Sequence, residues 1–223
     1  WAELLQNRKF AGVDPARPPR AEAWRGHVAD PVGFGVVEGW DPANPGDTVR
    51  YTHDNTTFYA GPQSQRIDLD SDDGEFHGVA QPGIEVAAGV DHRARLVLRT
   101  AGDISAVRIA LEDSDGENGA WEFAPDEARQ RWHTFNGELR SLRAGENRLR
   151  IEARGHGKLW LGAASLMPAE YADAGGIRTD VARLIRDGGV SMLRWPGGNF
   201  ASDYFWHEGI GPIDRRPTRL NRA

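Results

Sequence analysis

Between residues 93 and 165 apolar and polar side chains take turns along short runs. In SAVRIALED (105–113) Val107, Ile109 and Leu111 alternate with Arg108 and Ala110, and in NRLRIEAR (147–154) Leu149 and Ile151 alternate with arginines. A period of two sends successive side chains to opposite faces, so each run predicts a strand with one buried and one wet face. RARLVLRT (93–100) and GKLWLGAAS (157–165) predict two more strands. Clusters of glycine, proline and aspartate punctuate these runs at DPANPGD (41–47), DSDDGEF (70–76), DSDGENG (113–119) and RAGEN (143–147). Short, evenly spaced strands with such turns predict a mainly β fold, a β-sandwich of jelly-roll type running from about Val32 to Ala164.

The two ends read differently. WAELLQNRKF (1–10) predicts a short helix carrying Leu4 and Leu5, and DPARPPR (14–20) breaks it with three prolines, marking a linker or domain entry. RTDVARLIRDGG (178–189) predicts a helix with Thr179 as N-cap and Asp180 in the first turn. Val181, Leu184 and Ile185 share one face, and Gly188 and Gly189 stop it. VSMLRW (190–195) follows as a buried strand, which makes half of a β/α repeat. The strand stops at WPGGNF (195–200), where two glycines let the backbone turn sharply and bring a ligand close. Asn199 then presents donor and acceptor groups, as a ring of hydroxyls requires, or it caps a strained turn. At the carboxyl end of a barrel strand this would be the active face.

Composition narrows the chemistry. The 39% apolar content of 223 residues supports a real core, and no run approaches the roughly 18 apolar residues of a membrane span. No signal segment opens the sequence, and the chain reads as soluble, with no membrane partner. A net charge of −6 argues against a nucleic-acid partner. Zero cysteines exclude disulfides and thiol catalysis without choosing a compartment. PGGN lacks the Gly-x-Gly-x-x-Gly spacing of a nucleotide loop. The seven histidines show no pair at metal-ligand spacing, so no metal or other cofactor is expected in the chemistry. The acidic clusters at 68–76 and 112–119 read as solvated turns; neither has the glycine and glutamate positions of a calcium loop, although a structural calcium in the sandwich stays open.

Eight tryptophans stand out, because an indole suits both core packing and stacking on sugar rings. Trp121, Phe123, Trp132 and Phe135, with Phe58 and Tyr59 nearby, form a saccharide platform if they share a concave face. Turned inward they are core, the favoured reading.

Four blocks carry a resemblance: AELLQNRKF (2–10), SLMP (165–168), GGIRTDVARLIRDGGVSMLRWPGGNF (175–200) and YFWHEGIGPIDRRPTRLN (204–221). In this order they resemble the α-L-arabinofuranosidases of glycoside hydrolase family 51. The resemblance implies a (β/α)8 catalytic barrel, a retaining mechanism on terminal α-L-arabinofuranosyl groups, and an arabinose-containing polysaccharide or oligosaccharide as partner. It implies that residues 1–14 start the barrel after its first strand. Residues 15–164 become an inserted sandwich like a carbohydrate-binding module, and 165–223 carry barrel helix 1, strand 2 and the following loop. Asn199 matches an asparagine that hydrogen-bonds the sugar, Gly197, Gly198 and Phe200 match its setting, and Trp206 matches a loop bordering the site. Glu3, Asn7 and Arg8 match a block with no assigned role. Ala201, Ser202 and Asp203 depart from the usual pattern, which puts the aglycone preference in question. The acid/base and nucleophile carboxylates of such enzymes fall on later barrel strands, so no catalytic residue is expected here and this portion is expected to be inactive alone. The whole enzyme is expected to be a homo-oligomer. The alternative is a non-catalytic carbohydrate-binding sandwich.

Overall fold

A computed structural model describes residues 2–12, 35–44, 49–70, 73–194 and 205–216. The expected linker at 14–20 and the WPGGNF turn lie outside them. Among the described residues eight strands form one hydrogen-bonded sheet: β1 (Asp41–Pro42), β2 (Val49–Asp54), β3 (Ser64–Leu69), β4 (His77–Val86), β5 (Asp91–Asp113), β6 (Gly116–Phe123), β7 (His133–Arg140) and β8 (Gly145–Pro168). The fold is mainly β, as the alternation predicts.

The four runs read as separate strands are two long ones. RARLVLRT and SAVRIALED both belong to the 23-residue β5, and NRLRIEAR and GKLWLGAAS to the 24-residue β8. These two pair antiparallel from His92–Pro168 to Glu112–Arg148, with register shifts at Val97/Leu98 and Ile104/Ala106. Near the second shift Gly102 and Gly155 have φ of 82° and 121°, and a Cβ on Gly155 would sit 2.2 Å from the Asp103 carbonyl oxygen. These glycines mark bends inside strands, where only a residue without a side chain fits.

The bends curl the sheet. One half holds β7, the start of β5, the end of β8, β3 and β2; the other holds β6, the end of β5, the start of β8, β4 and β1. Leu96, Leu98, Ile67 and Leu161 from the first half join Ile109, Leu111, Ile151 and Val79 from the second in one core cluster. The face expected to be wet is partly closed: Glu152 is fully buried on it, taken by Arg108 (3.0 Å) and Arg150.

Residues 2–10 are not helical. The Leu4 amide donates to the Leu166 carbonyl, the Gln6 amide to the Gln81 side chain, and the Ala11 amide to Asn7 Oδ1. Leu166, Gln81 and the Asn7 side chain thus satisfy backbone groups that a helix would have paired, and Phe10 packs on Trp40 with ring centroids 5.0 Å apart.

After β8 come α1 (Ala169–Asp173) and α2 (Thr179–Asp187). The expected helix is present, but Arg178 occupies its N-cap; Thr179 is the first helical residue, and its hydroxyl bonds Glu170. Residues 190–194 are not a strand, because no neighbour among the described residues pairs with them. The apolar face of α2 is uncovered too: Leu184 is 73% exposed. No helix among the described residues is long and apolar enough to cross a membrane.

One buried carboxylate makes stability depend on pH. Burial disfavours the charge on Asp54, yet hydrogen bonds from Trp160 Nε1 (2.8 Å), the Thr56 hydroxyl and amide and the Thr57 amide outweigh it and hold the carboxyl well below its usual range. A group whose pKa is depressed on folding stabilises the fold above its unfolded value and loses that contribution as pH falls through the folded one. Urea midpoints are therefore expected to drop as pH falls below about 4, with a shallower drop in Asp54→Asn. Parallel pH profiles for the two proteins would count against this role.

Candidate functional site

Of the residues the sequence nominates, Asn199 and Phe200 lie outside the described set, as do Gly197 and Gly198. Trp206 lies within it, opening a 3-10 turn (Trp206–Gly209), 65% exposed and in edge contact with His207. The sequence nominates this position, but the network that holds its loop goes unpredicted.

That network begins at Glu3. Its carboxylate accepts bonds from the Leu5 and Leu166 amides and the Ser165 hydroxyl (3.2, 2.9 and 2.6 Å), which fixes the first residues beside the end of β8. Arg8 lies 3.4 Å from Glu3, donates to the Ala164 carbonyl, and reaches Asp214 at 2.8 Å. Arg95, pointing outward from β5, approaches the other oxygen of Asp214 at 2.9 Å. Asp214 is only 8% exposed and sits in a second 3-10 turn, Ile213–Arg215. Just after it Arg215 lies over the Tyr59 ring (4.8 Å) and the Arg216 carbonyl accepts from Lys9. Burial together with the nearby Arg8 charge holds the Lys9 ammonium below its usual range.

Beside this network lies a cavity of about 710 Å³, lined among others by Glu3, Arg8, Arg93, Arg95, Asn136 and Ile213. Glu3 and Asp214 are both engaged by arginine, an arrangement suited to holding segments together.

The aromatic question has a structural answer. Trp121 and Phe123 lie opposite Ile109 and Val107, and Phe135 opposite Leu96, so all three rings are on the core face. Trp121 stacks on Phe123 at 4.3 Å, Phe123 meets Phe135 at 4.5 Å, and a Cβ on Gly137 would fall 2.0 Å from the Trp121 fused ring. The indole's flat surface is thus occupied by the protein itself, closing the gap between β6 and β7. Trp132 and Tyr59 pack together over Gly162 on the opposite face. In the acidic cluster at 112–119 the Asp113 carboxylate is taken by Arg143 (2.8 Å to each oxygen) and by the Asp115 amide. Among the described residues no three His, Asp or Glu side chains are placed to hold a metal ion.

No protein-family model matches the chain. Over 52 residues it is 48% identical to an intracellular exo-α-(1→5)-L-arabinofuranosidase of Acetivibrio thermocellus, a stretch covering 23% of this chain and 10% of that protein. Over 66 residues it is 46% identical to an intracellular exo-α-L-arabinofuranosidase of Bacteroides ovatus, covering 30% and 12%. The fold superposes on an arabinose-bound GH51 α-L-arabinofuranosidase with a TM-score of 0.71 and 22% identity, over 98% of this chain and 36% of that one. The chain therefore spans about a third of that enzyme, and its aligned stretches about a tenth of the curated relatives. Nearly half-identical sequence over a quarter of the chain and a shared fold over almost all of it both make this chain similar to the α-L-arabinofuranosidases, a GH51 enzyme among them.

Proposed function

We propose that the chain is part of an α-L-arabinofuranosidase of glycoside hydrolase family 51, a retaining enzyme that removes terminal α-L-arabinofuranosyl groups from arabinose-containing polysaccharides or oligosaccharides. The observation that carries this reading is the local identity to curated arabinofuranosidases combined with the match of the whole chain to the fold of one. In this reading residues 15–164 are a jelly-roll-type insert and residues 1–14 and 165–223 belong to a (β/α)8 barrel. The contact of residues 4–8 with 164–166 supports it, since an insert must leave and rejoin its host at one place. So does the exposed apolar face of α2, which further barrel elements would cover.

Retention of configuration needs a nucleophile and an acid/base about 5 Å apart. By resemblance, both come from later barrel strands. This portion contributes Asn199, whose amide meets furanose hydroxyls, with Phe200 and Trp206 beside it. The experiment is hydrolysis of an aryl α-L-arabinofuranoside by the whole protein, with and without Asn199→Ala. The substitution is expected to lower kcat/KM by roughly 10- to 100-fold, the effect of losing one hydrogen bond that tightens in the transition state. Unchanged kinetics would remove Asn199 from the site, and no hydrolysis by the unsubstituted protein would end the proposal.

The covered faces of Trp121 and Phe123 give the carbohydrate-binding alternative little to stand on. Residues 1–223 are expected to migrate unretarded in affinity electrophoresis through arabinoxylan; strong retardation would restore that alternative.

A further inference from the structure

We propose that Asp214 is a positioning residue: through Arg8 and Arg95 it ties the 205–216 loop, and with it Trp206, to the β-sheet, so that the sheet sets where Trp206 stands. The proposal rests on the reading of Trp206 as bordering the sugar site.

The geometry is specific to this residue. Trp206 is exposed, and its described ring contact is with its own neighbour His207, a residue of the same 3-10 turn. Four positions on from Ile210 the same loop plunges into the protein at Asp214, whose two carboxylate oxygens meet Arg8 at 2.8 Å and Arg95 at 2.9 Å. Both guanidiniums belong to rigid parts. Arg95 is on β5, flanked by the core residues Ala94 and Leu96, and Arg8 is braced by the Ala164 carbonyl and Glu3. Charge-assisted bonds of this kind are shorter and more directional than neutral ones, and burial strengthens them. Pro212, whose ring fixes φ, stiffens the short run that links the anchor to the 3-10 turn carrying Trp206, and the Arg216 guanidinium donates to the Gly211 carbonyl within that run. The contact of Arg215 with Tyr59 adds a second tie to the sheet's outer face. An insert attached in this way acts on substrate without touching it.

The test uses the whole protein with Asp214→Asn, and with Arg95→Gln as a second way to break the anchor should the first fail to fold. Hydrogen exchange measured by mass spectrometry is expected to quicken in peptides covering 205–216, where Glu208 and Arg215 donate backbone bonds, while β5 and β8 stay protected. On an aryl arabinofuranoside, Asp214→Asn is expected to lower kcat/KM about tenfold, mainly through KM, and less than about twofold once Trp206→Ala is already present. An equal loss in both backgrounds overturns the proposal, because a merely structural role would not depend on Trp206. Unchanged exchange at 205–216 overturns it as well. If the unsubstituted protein hydrolyses no arabinofuranoside, the functional reading falls on its own, and the exchange experiment still decides whether Asp214 anchors the loop.

Discussion

Replacing Glu152 by alanine is expected to destabilise the sheet by about 3 kcal/mol, the low end of the cost of stripping one partner from a buried ion pair. The side chain is fully buried and accepts from Arg108 and Arg150, two guanidiniums that are themselves only 22% and 16% exposed. Without the carboxylate two cations face each other away from water. Each keeps one further acceptor, Glu117 for Arg108 and Glu112 for Arg150, which is why the low end applies. The substitution also acts on Tyr51, whose hydroxyl donates to the Gly78 carbonyl. Burial and then the Glu152 charge push its phenol above its usual range, so Glu152→Ala should relax that shift in part. Chemical denaturation is the measurement. Replacing Glu152, Arg108 and Arg150 together with apolar side chains of similar volume is expected to cost far less than the single change, since it leaves no buried charge unpaired: Glu117 and Glu112 lose their arginines but face solvent. A single change no worse than the triple one would refute this account of the face.

Trp40→Ala is expected to cost about 3–5 kcal/mol, the range for deleting a fully enclosed large aromatic. Trp40 is completely buried, stacks near Phe10, and donates from Nε1 to the Asn7 carbonyl at 3.3 Å. It thereby pins the non-helical first residues to the sheet. The loss should appear in two ways, as a lower thermal midpoint and as earlier proteolysis within residues 2–12. A lowered midpoint with the N-terminal residues still protected would mean that Glu3 and Gln81, rather than Trp40, hold that segment.

The sheet was legible because Val107, Ile109, Leu111, Leu149 and Ile151 keep a strict period of two, which buried position after position matches. Its curl was not, since the runs on either side of Gly102 and Gly155 read as separate strands, whereas long-range pairing makes these glycines bends within continuous strands. Tertiary partners also overrode local pattern at both ends. Gln81 and Leu166 draw residues 2–8 out of a helix, and residues 190–194 lack the neighbour that would make them a strand. At the site the sequence could nominate Trp206 by its place in a recognised block. It could not show that Asp214 meets Arg8 and Arg95, because each of those contacts joins positions more than a hundred residues apart.

As part of the proposed arabinofuranosidase, the chain would serve an enzyme that cleaves with retention. Proton NMR of the whole protein acting on an aryl α-L-arabinofuranoside tests this most directly. The account predicts that the first arabinose signal to appear is the α-furanose anomer, before mutarotation spreads it. First appearance of the β anomer, or no arabinose at all from an intact, folded protein, would contradict it.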